Sequence, residues 1–231
     1  MNGLIESFKQ NFLEKDRWML IVSGLGTTIL IAFFAVILGM VLGFLVAIIR
    51  STHDKTGKFK ILNAVCRVYL TVIRGTPTVV QLLIMYFIIF ASLPQVSKIF
   101  VAVLTFGINS GAYVAEIVRS GIMSIDNGQM EAGRSLGLNY RQTMISIVLP
   151  QAFKNVLPAL ANEFIVLLKE TSVSGYIAIN DLTKAGDNIR SQTYSAFMPL
   201  IVIALIYLLM VMILSHFVTK LERRLKSSDR G

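Results

Sequence analysis

Glu131-Ala132-Gly133-Arg134-Ser135-Leu136-Gly137, with Ile147-Val148-Leu149-Pro150 beginning ten residues later, forms a polar island between long apolar segments. An acid, small residues and a helix-stopping glycine suit a charge-assisted docking contact better than bond breaking. Catalytic chemistry has little else to use. The chain holds one cysteine, Cys66, and two histidines, His53 and His216, at opposite ends of the sequence. An intrachain disulfide is excluded, no thiolate zinc cluster can form, and neither a metal site nor a catalytic residue is expected. Ser or carboxylate chemistry would remain, but the Gly-x-Ser-x-Gly elbow is missing. The nearest thing to a phosphate loop is Thr52-His53-Asp54-Lys55-Thr56-Gly57-Lys58-Phe59. It lacks the opening glycine at Thr52 and the magnesium-binding hydroxyl at Phe59, so any ATP chemistry belongs to another chain.

The elements that position the island are membrane helices. Hydrophobic residues make up 55% of the 231 and charged residues 15%, against about 25% charged in a soluble domain. Trp18 to Ile49 carries no charge, and Phe197 to Phe217 is broken only by Pro199, Ser215 and His216. Runs of that length span a bilayer as helices, because barrel alternation is absent. The expectation is an all-α, multi-pass membrane protein with five spans near 19–49, 62–92, 98–118, 150–172 and 197–218. The first is longer than the ~20 residues needed, so its start near Gly24-Leu25-Gly26 is expected to bend or lie at the interface. It is also too long for a signal-peptide core and is read as retained. Pro150 and Pro158 are expected to interrupt the fourth span. Gly39 and Gly43 permit close helix packing, a pattern too common to carry function. Leu4, Ile5, Phe8, Phe12 and Leu13 recur at helical spacing, consistent with an interfacial helix or with a frayed terminus.

A net charge of +9 would point to nucleic acid in a soluble chain. Here the basic residues lie beside apolar runs, which fits topology and anionic lipid instead. Segment 50–67 holds Arg50, Lys55, Lys58, Lys60 and Arg67; segment 119–154 holds Arg119, Arg134, Arg141 and Lys154; the tail holds Lys220, Arg223, Arg224, Lys226 and Arg230. Lys9, Lys15, Arg17, Lys98, Lys184 and Arg190 on the other side are mixed with acids. Five spans with the N-terminus outside put the richer segments, the Glu131 island and the C-terminus in the cytoplasm. The chain thus divides into an N-terminal interfacial segment (1–18), a single membrane domain (19–218) with a cytoplasmic loop at about 119–149, and a basic tail (219–231).

Within the loop, Asp126 can cap a helix with Gln129 at its third position, and Ile125 and Met130 can form a hydrophobic staple. Gly137 supplies the stop. Asn139 with Gln142 begins a second helix at once. The expected result is two short helices with a sharp bend outside the membrane, where Ala132 and Gly133 admit a neighbouring surface and Glu131 offers charge. A merely well-capped connection would read the same way.

The pattern Glu131-Ala132-Gly133-x3-Gly137-x9-Ile147-x-Leu149-Pro150 resembles the EAA loop of ABC importer permeases. Further blocks look like the permeases for histidine, glutamine, arginine and related polar amino acids. They are Arg74-Gly75-Thr76-Pro77 with Gln81-Leu82, Asn109-Ser110-Gly111-Ala112-Tyr113-Val114-Ala115-Glu116, Asn162-Glu163-Phe164 and Leu168-Lys169-Glu170-Thr171-Ser172. The resemblance covers about residues 20–225. It implies a type I importer permease in a bacterial cytoplasmic membrane, where the loop docks into a cleft on an ATP-binding subunit. Glu131, Ala132, Gly133 and Gly137 would then be coupling residues, with Leu149 and Pro150 at the re-entry into the membrane. The implied partners are two ATPase copies that hold ATP and Mg, a second permease, identical or homologous, and an extracytoplasmic amino-acid-binding protein. This chain itself would bind no cofactor.

A zwitterionic amino acid needs acceptors for its ammonium and donors for its carboxylate. Gln81, Asn109, Ser110, Tyr113, Glu116, Asn162, Glu163 and Lys169 are the candidates along its path. Asn109, Tyr113 and Glu116 share a helical face. Glu116 either serves substrate or pairs with Arg119 at i+3. Glu163 lies deep with no basic neighbour in sequence, so it contacts substrate, gates, bonds across to another span, or stays protonated. Arg74 is read as snorkelling to the interface. The competing function is an ATP-independent channel or facilitator for small polar solutes, which would leave the cytoplasmic blocks unexplained.

Overall fold

The computed structural model describes residues 2–93 and 95–227. Arg230 and the side chains of Leu4, Lys55 and Lys226 lie outside what is described. Helices account for the whole architecture, and no strand occurs among the described residues.

Helix α1 (Asn2–Phe8) runs into a wide turn at Lys9–Leu13. Asn11 and Phe12 are buried there. Asn11 Oδ1 accepts from the Thr193 hydroxyl at 2.8 Å, and Arg17 donates to Gln192 Oε1 at 3.2 Å. Of the two readings of this segment, the helical one matches the structure.

Helix α2 (Trp18–Thr56) has 39 residues, about 58 Å at the α-helical rise against ~30 Å of hydrocarbon. It is continuous through Gly24–Gly26, so of the two alternatives for its start the bend is absent. Gly24 is needed for another reason: a Cβ there would come within 2.7 Å of the Asp181 carbonyl oxygen. The helix ends where Gly57 turns left-handed at φ 68° and its N–H reaches the His53 carbonyl.

The second span is not straight. Helix α3 (Lys60–Gly75) and helix α4 (Thr78–Ile84, continued by a wide turn to Ile89) meet at 108°. Thr76 is extended, as a residue before proline prefers, and Pro77 opens α4. Helix α5 (Lys98–Met123) follows, then the short helices α6 (Asn127–Ser135) and α7 (Tyr140–Thr143).

Helix α7 does not stop at Thr143. A wide turn at Met144–Val148 carries it into helix α8 (Leu149–Glu170), which ends in a tight 3₁₀ stretch at Thr171–Ile177. The expected interruptions at Pro150 and Pro158 are therefore absent. Pro150 stands in the first turn of α8, where a missing N–H matters least, and the wide turn just ahead sends the Leu149 N–H to the Met144 carbonyl. Pro158 lies inside α8 and the helix continues past it. Helix α9 (Leu182–Thr193) is short and polar, and helix α10 (Phe197–Ser227) closes the bundle.

By length and composition, four of the described helical runs can cross a membrane: Trp18–Asp54, Lys98–Met123, Tyr140–Ile177 and Phe197–Leu225. The bent α3–α4 pair makes a fifth if counted as one span. The bundle is organised on α2 and α5, whose backbones approach so closely that a Cβ on Gly39 would lie 2.8 Å from Ser110 Cβ. Ile31, Ala35, Phe106, Leu167 and Ile177 fill the core toward one end, and Ala47, Val118, Val156 and Leu160 toward the other. The outer faces of α3 and α10 keep Ile61, Val65, Leu209 and Phe217 exposed, as lipid-facing or partner-facing helices do.

Candidate coupling loop and polar interhelical path

The loop at the Glu131 island is built by local capping. Asp126 is extended and its Oδ1 accepts from the Gly128 amide at 2.6 Å, starting α6. At the other end Gly137 takes φ 82°, and the amides of Gly137 and Leu138 reach the carbonyls of Arg134 and Gly133 at 3.0 and 3.1 Å. That is a Schellman stop, which a residue with a Cβ would strain. Asn139 and Gln142 then form the reciprocal box, with bonds of 3.0 and 2.9 Å, that opens α7. The second short helix is not free-standing. It is the first turn of the continuous helical run Tyr140–Ile177, which is long and apolar enough to cross a membrane and in which Leu149 and Pro150 follow two turns later.

Glu131 and Ala132 are exposed, as is Gly137. Gly133 is not: it is buried against the fully buried Thr143 of α7, and any Cβ would strike the threonine side chain. Its smallness serves packing within the loop instead of approach by a partner. Leu136, which the sequence pattern did not single out, is left 79% exposed at the end of α6 between Glu131 and the glycine stop. A lone large apolar residue inside a polar island was the available signal. Gln151 of α8 donates to Gln129 Oε1, and Asn155 of α8 donates to Ser124 Oγ, each at 3.3 Å. Leu149 and Pro150 line an apolar cavity of about 420 Å³ with Ile48, Ile122 and Val156 beneath the loop. Displacement of α6 would thus be felt by α8.

Most of the expected path residues gather on two faces of α5. On one, Asn109 donates to Gln81 Oε1 at 3.0 Å. Gln81 Nε2 in turn donates to the Ile73 carbonyl at 2.7 Å and to Thr76 Oγ1 at 2.8 Å, fastening the α3–α4 bend. One turn along, the Arg74 guanidinium lies 5.6 Å from the centre of the Tyr113 ring. Glu116 follows, 2.5 Å from Arg119, 3.4 Å from Arg50 and 3.8 Å from Arg74. The pairing reading of Glu116 is therefore observed, and it ties α2, α3 and α5 together. Arg74 is held against α5 by Tyr113 and Glu116, and its side chain stays 42% exposed.

On the other face Ser110 donates to Glu163 Oε1 at 2.9 Å, with both residues buried. Glu163 thus has the cross-span partner that was one of its alternatives. Asn109 Oδ1 is buried and accepts no hydrogen bond among the described residues. Asn162 and Lys169 are exposed on α8 and join neither cluster.

At the opposite end of α2, Asp181 caps α9 through the Thr183 and Lys184 amides, and Leu182 donates its N–H to Thr28 Oγ1. Burial pushes the Asp181 carboxyl up, while those amide bonds draw it back. Asp187 is held below the usual carboxylate range by hydrogen bonds from Lys184 and Arg190. No group of side chains suited to a metal occurs among the described residues.

Comparison with known proteins fits this geometry. Residues 39–227 match the family described as binding-protein-dependent transport system inner membrane component. An arginine transport system permease protein of Bacillus subtilis is 39% identical over 214 residues, covering 90% of this chain and 94% of the relative. A glutamine transport system permease protein of Escherichia coli is 37% identical over 210 residues, covering 90% and 93%. The crystal structure of an amino acid ABC transporter contains a chain 41% identical, with a TM-score of 0.84 over 92% of this chain and 98% of that one. An inward-facing methionine ABC transporter shares the fold at 19% identity, with a TM-score of 0.76 over 90% of this chain and 97% of that one. The chain belongs to the family of binding-protein-dependent transport system inner membrane components, and it is a multi-pass permease of that family.

Proposed function

We propose that this chain is the membrane subunit of an ATP-driven importer of polar amino acids in a bacterial cytoplasmic membrane. Its N-terminus faces outward, and its Glu131–Gly137 loop docks on a separate ATP-binding subunit. The observation that carries the reading is mechanical. The loop exposes Glu131, Ala132 and Leu136 and is braced through Gly133, Gln129 and Ser124 to the α7–α8 run. That run holds Glu163, bonded to Ser110 of α5. A push on the loop therefore bears on the helix that carries a buried carboxylate. The printed names of the arginine and glutamine permeases support the substrate class.

In this reading two ATP-binding subunits hold ATP and Mg, a second permease completes the pathway, and an external binding protein delivers the amino acid. Residues 19–218 act as one transport domain, with the loop at about 119–149 as its coupling device. Residues 1–18 brace the outer side and 219–231 form a cytoplasmic tail. Glu163, positioned by Ser110, receives the substrate ammonium, and the open acceptor Asn109 Oδ1, positioned by Gln81, offers a separate polar contact on the other face of α5. Gln81, Tyr113 and Glu116 set the α3–α4 bend against α5. Asn162 and Lys169, exposed on α8, are reserved for contact with the second permease or the substrate entrance. The liganded binding protein drives alternation only to the extent that it prefers one permease state.

The test is reconstitution of the permease with its ATP-binding subunit in vesicles. ATP-dependent uptake of arginine or glutamine, present with loaded binding protein and absent without ATP, supports the reading. Equal uptake without ATP overturns it in favour of a channel.

A further inference from the structure

A polar cavity of about 460 Å³ opens beside α3 at the loop end of the bundle, and the transport reading makes no use of it. It is lined by Arg50, Arg67, Leu70, Thr71, Arg74 and Gly75, with three guanidinium groups and no carboxylate among them. Glu116 does not neutralise them. Its Oε1 is taken by Arg119 at 2.5 Å, and its Oε2 is shared between Arg50 at 3.4 Å and Arg74 at 3.8 Å. Arg67 has no ion-pair partner of its own among the described residues. Arg50 Nε is buried and donates to nothing among the described residues. Such a buried donor beside surplus positive charge calls for an oxyanion.

The depth of the cradle narrows the choice. Arg50 is the first charged residue after the uncharged run Trp18–Ile49, so it stands where hydrocarbon gives way to headgroups. Immediately round the same helix lies an apolar groove of about 540 Å³, lined by Val65, Val68, Tyr69 and Val72 among others. A free phosphate would fill the cradle alone. A molecule with a phosphate and an acyl chain would fill both.

We propose that Arg50, Arg67 and Arg74 hold the phosphate of an anionic phospholipid from the leaflet on the loop side, its acyl chain lying along the Val65–Val72 groove. The lipid then completes the junction of α2, α3 and α5. The proposal is independent of the substrate and of which face of the membrane is cytoplasmic.

Native mass spectrometry of the permease–ATPase complex tests it, using phosphatidylglycerol, phosphatidylcholine and inorganic phosphate as probes. The expected result is that phosphatidylglycerol is retained in preference to phosphatidylcholine and survives added inorganic phosphate. Arg67→Gln and Arg74→Gln should each lower that retention about fivefold, while Lys98→Gln at the far end of α5 leaves it unchanged. Should Arg74→Gln fail to assemble, Arg67→Gln alone carries the test, since it removes no bond to Glu116. Equal retention of the two lipids, or of phosphatidylglycerol by the parent and Arg67→Gln, overturns the site. Displacement by inorganic phosphate overturns the lipid as its occupant.

Discussion

Ser110 donates its hydroxyl hydrogen to Glu163 Oε1 at 2.9 Å, a bond between α5 and α8 made where both residues are buried. The same Ser110 faces Gly39 of α2, so three helices meet at one polar point. Loss of either partner exposes the other to an apolar site without its bond.

Ser110→Ala should destabilise the protein by about 1–3 kcal/mol, the penalty for leaving a buried acceptor unpaired. Glu163→Gln, which can still accept from the Ser110 hydroxyl, should destabilise less, yet lower uptake about tenfold, equivalent to ~1.4 kcal/mol of lost interaction with the substrate ammonium. Thermal unfolding in detergent and uptake in vesicles separate the two effects. An uptake profile identical to the parent would reassign Glu163 to packing.

Gly133→Ala should push α6 off α7, because its Cβ would collide with Thr143. The expected phenotype is a permease that inserts and binds its ATPase but no longer raises ATP hydrolysis when loaded binding protein is added. Combining it with Thr143→Ala removes Cγ2 and Oγ1, the two nearest atoms, and leaves Cβ at 3.1 Å, so most of the stimulation should return. A double variant as impaired as Gly133→Ala alone would place the fault elsewhere.

Leu136→Asp should leave folding unchanged, since the side chain is exposed, and should weaken capture of the ATP-binding subunit at least tenfold. Glu131→Lys should act in the same direction. Co-purification at matched expression checks this; undiminished recovery of the ATPase with both variants would remove the docking role.

Glu116→Gln should leave Arg50, Arg74 and Arg119 facing one another across three helices. Each pair is partly solvent-accessible, so each is worth at most about 1 kcal/mol. The expected result is a melting temperature lower by a few degrees that added salt partly restores by screening. A melting temperature insensitive to both would contradict the junction.

What the sequence disclosed was chiefly local. The Asp126 cap, the Asn139–Gln142 box and the Gly137 stop depend on neighbours within a few residues and all three are present, although Asp126 caps through Gly128 and Gln129 accepts from Gln151 instead of closing a box. Long apolar runs announced the spans for the same reason. Prolines misled because their effect depends on position: Pro77 sits at a 108° bend, whereas Pro150 fits a helix start and Pro158 lies within a continuous helix. Long-range partners were not legible. Ser110 and Glu163 are 53 residues apart, and Glu116 meets Arg50 across 66. That Gly133 faces Thr143 and Leu136 faces outward follows from how α6 lies on α7, which no single-helix pattern encodes.

The coupling role stands or falls on uptake and hydrolysis measured together in vesicles holding the permease, its ATP-binding subunit and loaded binding protein. With Leu136→Asp and Glu131→Lys combined, ATP-dependent uptake should fall to the level without ATP, while the ATPase keeps its unstimulated rate. Uptake equal to that of the parent in the combined variant would contradict the loop as the point where ATP energy enters.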